Sequence, residues 1–259
     1  MTAWNKRGFY REMIAIAIPV AIQNIITVGV SMADTVMLGS LGETPLSASA
    51  LANQLFFIFT LVMFGTSGGT NVLAAQFWGK RDIASIKKVL GYTYRLVLAV
   101  AALMTVISAL FPTQILSLFT NEEPVIAEGA RYLRVISASF FFFGLTTITS
   151  GMLRAVQNVR VSMAASVVSV GLNIFLNWVL IFGKLGAPAL GVVGAAAATT
   201  VSRIVEFAIV LTYTLVFEKQ IRLRIRELIH LDKTVSKPFS GTVSQSCATS
   251  FSGRPALPC

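Results

Sequence analysis

The chain is 259 residues long, 55% hydrophobic, only 12% charged, and carries a formal net charge of +10. An ordinary soluble domain carries about 25% charged residues, so this composition excludes one and points to a polytopic membrane protein. The basic residues sit in the gaps between apolar runs, which favours a membrane surface over nucleic acid as their counterpart.

A short basic and aromatic entry (Trp4, Lys6, Arg7, Phe9, Tyr10, Arg11) leads into an apolar run over residues 13–39. At about 1.5 Å per helical residue the run crosses a bilayer core of about 30 Å. It is too long for a signal-peptide core, so it is read as a retained first helix over 12–38. Pro19 introduces a kink or a local break in its hydrogen-bond ladder. Asp34 is the one charged group of the run 13–39, and a charge at that depth is expensive enough to mark an ion or substrate path. The plainer alternative is an inert helix-end aspartate.

A turn with Gly and Pro over 41–47 leads to a second helix over 48–77, whose Gly65, Gly68 and Gly69 suggest close approach or an irregular stretch. The basic gap 78–88 precedes a third helix over 90–111 that stops at Pro112. Residues 113–128 read as an acidic loop, and a fourth helix over 130–153 centres on the phenylalanine run 140–143, taken as packing or lipid-facing surface. The link 154–160 is basic. A fifth helix follows over 161–182, then a Gly/Pro turn over 183–191 and a sixth helix over 192–217 rich in small residues. Outside the tail, Lys and Arg fall almost wholly on one side of these spans. The exceptions are Arg131, Arg134 and Lys184 on the other side and Arg203 within the sixth helix, three residues before Glu206. This asymmetry predicts six spans with both ends cytoplasmic.

Residues 218–237 form a basic amphipathic segment suited to an anionic membrane surface. Beyond it, 238–259 has no apolar run, is rich in Ser, Pro and Gly, and holds both cysteines, Cys247 and Cys259. This break in composition reads as a disordered, non-native tail, the product of a frameshift or truncation; a native disordered tail is the alternative.

Asn173 and Asn177 lie four apart and share a face of the fifth helix. They can coordinate an ion, orient a carboxylate, or simply bond a neighbouring helix. With Gln23, Asn24, Asn53, Gln54, Asn71 and Gln76 they suggest a polar cavity between helices. Thr199 is read first as ordinary small-residue packing and second as lining for that cavity. The single histidine, His230, lies in the basic segment, and no GxxxxGK[ST] loop occurs, so neither a histidine-based metal or catalytic cluster nor a P-loop nucleotide site is expected.

The stretches IPVAIQNIITVGVSMADTVMLGSLG, NVLAAQFWGKRD, GMLRAVQNVR and NIFLNWVLIFG followed by LGVVGAAAATTVSR resemble the MATE (multidrug and toxic compound extrusion) transporters over residues 8–235. The resemblance implies two six-helix lobes with alternating access, exporting cationic or amphipathic drugs against H⁺ or Na⁺. It implies a functional acid at Asp34. The family often pairs an asparagine with an acid four residues later in the fifth helix; here those positions hold Asn173 and Asn177, so the second acid is replaced by an amide.

The expected fold is therefore an all-α membrane protein whose six transmembrane helices form one lobe of a twelve-helix MATE-type transporter. Residues 1–217 are the lobe, 218–237 an inter-lobe linker and 238–259 the tail. The expected function is multidrug efflux by antiport, not enzymatic catalysis, with Asp34, Asn173, Asn177 and Thr199 binding the coupling cation or substrate. No cofactor is expected beyond the coupling ion, and no nucleic-acid partner. The expected setting is the inner membrane, with a second lobe or a second copy as partner. The alternatives are a lipid-linked oligosaccharide flippase and a membrane fragment that transports nothing. In a single lobe, Asn24, Asn173 and Asn177 are expected to lose polar partners.

Overall fold

The computed structural model describes residues 6–155 and 158–217; the segments 218–237 and 238–259 lie outside the described residues. Those described form helices with no strand: α1 (Lys6–Gly39), α2 (Glu43–Gly79), α3 (Ile83–Leu110), α4 (Pro112–Ser117), α5 (Glu123–Ala155), α6 (Val159–Phe182) and α7 (Val192–Thr212). A turn of π geometry, Tyr213–Phe217, continues α7. Six of these helices are long and apolar enough to cross a membrane.

The helices run further than composition suggested. The gap 78–88 shrinks to 80–82, because Asp82 caps α3: its carboxylate accepts the backbone amide and the hydroxyl of Ser85, at 3.1 and 2.6 Å. The turn 41–47 is likewise shorter, since α2 begins at Glu43 and takes Pro45 into its first turn, where a missing amide hydrogen costs nothing. Pro112 does end α3, but it also opens α4, so the loop expected over 113–128 contains a short helix, and α5 begins at Glu123. The π turn replaces the last turn of the sixth expected helix. Despite Gly65, Gly68 and Gly69, α2 is unbroken.

The centre of the lobe is α5, the most buried of the long helices, packed against α2, α3 and α7. Phe140, fully buried, stacks on Phe59 of α2 at 5.2 Å, and Phe143 meets Phe56 edge-on at 5.0 Å, so the aromatic run serves packing. α6 and α7 approach closely: a Cβ on Gly194 would stand 2.5 Å from the Leu180 carbonyl oxygen. The turn between them starts at Gly183, whose φ of 66° is the left-handed conformation that ends many helices.

α1 lies outermost, chiefly against α6. It turns Ile14, Ile18, Ile22, Ile25, Val28, Met32 and Val36 outward at helical spacing, a continuous apolar stripe. In a bilayer such a stripe costs nothing to expose. What holds α1 to the lobe is therefore its other, polar face.

Candidate functional site

That face meets the polar stripe of α6. Ser162, Ser166, Ser169, Asn173 and Asn177 recur every three or four residues and are all buried. Asn177 donates its side-chain amide to the carboxylate of Asp34 and to the Asn173 carbonyl oxygen, the latter at 3.3 Å. Asn173 in turn donates to the Thr199 hydroxyl of α7 at 3.3 Å. The four residues singled out from the sequence, on three different helices, thus form one connected polar cluster.

Asp34 sits five residues inside the end of α1 and is half-buried. It faces a cavity of about 450 Å³. Asn173, Thr199, Ser166, Ser169 and Ser202 line the polar wall, and Phe56, Phe57, Tyr132 and Ile136 give an aromatic and aliphatic one. Asn177 lies behind the wall, fully buried, with its Oδ1 unpartnered. An apolar pocket with a few convergent polar groups is the ordinary form of a small-molecule site.

A second polar group borders the same cavity. Gln23 of α1 donates to the Ser166 hydroxyl at 2.7 Å, and Ser166 donates to Glu206 Oε1 at 2.8 Å. Glu206 Oε2 is 2.8 Å from Arg203, whose guanidinium lies 5.1 Å over the Phe143 ring. The helical offset of Arg203 and Glu206 made their pairing readable in the sequence. The involvement of Ser166 was not foreseen, although the three- and four-residue spacing of serines leading into Asn173 was the signal for it.

Two expectations are corrected. Asn173 and Asn177 do not lose their partners within one lobe, because they bond Thr199, Asp34 and each other; Asn24, by contrast, is exposed. The amides also do not gather in a single cavity. Asn53 lines it, but Gln54 and Gln76 are exposed, and Asn71 packs under Gly151, where a Cβ would stand 2.6 Å from its Oδ1. Among the described residues no three His, Cys, Asp or Glu side chains group to hold a metal ion.

Residues 19–179 match the MatE family model. The chain is 32% identical over 215 residues to the Probable multidrug resistance protein NorM of Thermotoga maritima, an alignment covering 83% of this chain and 46% of that protein. Its fold is similar to a solved structure described as the outward-facing conformation of a multidrug resistance MATE family transporter of the MOP superfamily. The TM-score is 0.82 at 23% identity, over 93% of this chain and 52% of that one. A MOP superfamily transporter from Pyrococcus furiosus superposes with a TM-score of 0.83 at 22% identity, again over 93% and 52%. The chain spans about half the length of the curated relatives it matches. Taken with six apolar helices enclosing a polar cluster, these matches establish a multi-pass membrane protein that belongs to the MatE family, whose members are transporters rather than enzymes.

Proposed function

We propose that the chain forms the N-terminal lobe of a multidrug antiporter, in which Asp34 binds the coupling cation, H⁺ or Na⁺, and the adjoining cavity receives a cationic or amphipathic drug. The observation that carries this reading is the Asn177–Asp34 contact at the edge of a cavity with one polar and one aromatic wall. Ionised Asp34 only accepts, as it does from Asn177; protonated, it gains an O–H donor beside its remaining carbonyl acceptor, and the Asn177 amide oxygen is then an acceptor within its reach. Cation binding thereby changes the tie between α1 and α6. Carboxylate, amide and hydroxyl oxygens from Asp34, Asn177, Asn173 and Thr199 are also the hard ligands that suit Na⁺.

The setting proposed is the inner membrane, with the 80–82 turn and both ends of the lobe cytoplasmic. Alternating access requires one bundle to rock against another around a shared site, so transport is expected only when this chain is joined to a second lobe. A flippase for a diphosphate-linked lipid is less suited, because Arg203 is the one basic residue among those lining the cavity and Glu206 already engages it.

Efflux of a fluorescent cationic dye tests the proposal. Cells expressing the chain fused to a second lobe should export the dye, and Asp34→Asn should abolish export without reducing the amount of protein in the membrane. The unfused chain should not export. Undiminished efflux in Asp34→Asn would show that Asp34 is an ordinary helix-end residue.

A further inference from the structure

The charges lining the cavity do not balance. Asp34 and Glu206 are acidic and Arg203 alone is basic. Arg203 sits three residues before Glu206 on α7, and its side chain remains about a quarter exposed toward the cavity, whereas Glu206 is almost fully buried. Both Glu206 oxygens are engaged, one by Arg203 and the other by Ser166. Carboxylate and Phe143 ring together make an anionic and aromatic seat, the kind that holds an organic cation, and the guanidinium of Arg203 occupies it. Asp34 and Arg203 line the same cavity. Two carboxylates and one tethered cation thus line a single cavity.

We propose that Arg203 is a tethered competitor for the cations this cavity binds, held on Glu206 while a ligand cation is at Asp34 and driven toward Asp34 when an organic cation takes its seat between Glu206 and Phe143. The proposal rests on the reading of the cavity as a cation site and adds a rule of exclusion to it. A substrate cation at Glu206 displaces the coupling cation from Asp34 by way of Arg203, so exchange follows from charge balance rather than from direct overlap of the two ligands.

A static ion pair and a competitor differ in the sign of their mutants. Breaking a structural pair from either side damages the same contact, so both variants weaken binding. A competitor gives opposite signs. Arg203→Gln frees both carboxylates and tightens cation binding, while Glu206→Gln removes the seat and releases Arg203 onto Asp34, which weakens it. Each effect is expected to be about tenfold, the scale of one unit charge at a partly buried site.

The experiment is equilibrium dialysis of tetraphenylphosphonium, a cation that cannot titrate, against the purified chain in phosphatidylcholine nanodiscs, with thermal unfolding of each variant followed in parallel. Tighter binding by Arg203→Gln together with weaker binding by Glu206→Gln supports the proposal. Weaker or unchanged binding by Arg203→Gln overturns it, as does tighter or unchanged binding by Glu206→Gln. Arg203→Met, which keeps a flexible stem over Phe143, replaces the Gln variant should that fail to fold; failure of both shows the pair to be structural and overturns the proposal. If the parent and every folded variant fail to bind the probe, the reading of the cavity as a cation site falls and the proposal with it.

Discussion

Asn177 donates its side-chain amide to the carboxylate of Asp34, tying α6 to α1 between residues 143 positions apart in the chain. Together with the Gln23–Ser166 bond, it pins to the lobe a helix whose opposite face is an exposed apolar stripe. Polar ties at two heights, together with Leu38 in the core near its end, hold α1 in position. A helix held this way can be released by one change in charge or in hydrogen bonding.

Asn177→Ala should therefore act on α1 more than on the rest of the fold. It removes the donor to Asp34 and to Asn173, and interhelical polar contacts in membranes contribute about 0.6 to 2 kcal/mol each. The expected result is a small fall in global thermal stability with a large rise in amide hydrogen exchange over α1, while α2 and α5 stay protected. Uniform loss of protection across all the helices would mean that Asn177 supports the core instead.

Close helix approach makes a second, sharper prediction. A Cβ on Gly194 would meet the backbone carbonyl of Leu180 at 2.5 Å, and backbone cannot move aside as a side chain can. Gly194→Ala should destabilise the α6–α7 pair by about 1–3 kcal/mol, the usual cost of overpacking. Gly171, in the middle of α6, has nothing within 4 Å of the same added atom, so Gly171→Ala should be neutral or stabilise by up to about 1 kcal/mol through helix propensity. Thermal unfolding of the two variants in one detergent compares them directly.

Much of this architecture was legible in the chain. Six apolar runs gave the six spans, and Asp34, Asn173, Asn177 and Thr199 meet because a polar residue recurring every three or four positions marks one helix face. Helix ends were less legible. Charged residues such as Lys87, Lys88 and Glu128 looked like loop, yet they lie on helices, because a membrane helix continues past the hydrocarbon core into water. Pro112 carried one signal, the end of α3, and concealed another, since proline is equally suited to the first turn of α4. Ser166 could not be assigned from its own identity; only its place on the stripe and its contact with Glu206 give it a role.

At the α2–α3 turn, Asp82 provides a pH-dependent contribution. The side-chain and backbone hydrogen bonds from Ser85 hold its carboxyl below the usual carboxylate range, with a smaller contribution from the charge of Lys88. A group whose pKa is lower in the folded state stabilises the fold above its unfolded value, about 3.9, and loses that contribution as pH falls through the lowered value. Asp82→Asn keeps the capping geometry but does not titrate. The gap in thermal midpoint between parent and Asp82→Asn should be constant from neutral pH to about pH 5 and close as pH falls below about 4. A gap independent of pH would show that the cap does not need the charge.

Membrane orientation can be read from the two ends of the bundle. The α2–α3 turn and the start of α3 carry Lys80, Arg81, Lys87 and Lys88, whereas the α4–α5 loop and the start of α5 carry Glu122, Glu123 and Glu128. Basic residues are retained on the cytoplasmic side, so the first group should be inside and Glu122 outside. Both cysteines of the chain, Cys247 and Cys259, lie at its far end. Replacing them with serine leaves a background in which a single cysteine reports its own position. Lys88 and Glu122 are both exposed, so access to a reagent depends on the membrane rather than on the fold. In intact cells an impermeant maleimide should label Glu122→Cys at once and Lys88→Cys only after the membrane is permeabilised. The reverse pattern would invert the lobe, and the cavity beside Asp34 would then have to be filled from the opposite side.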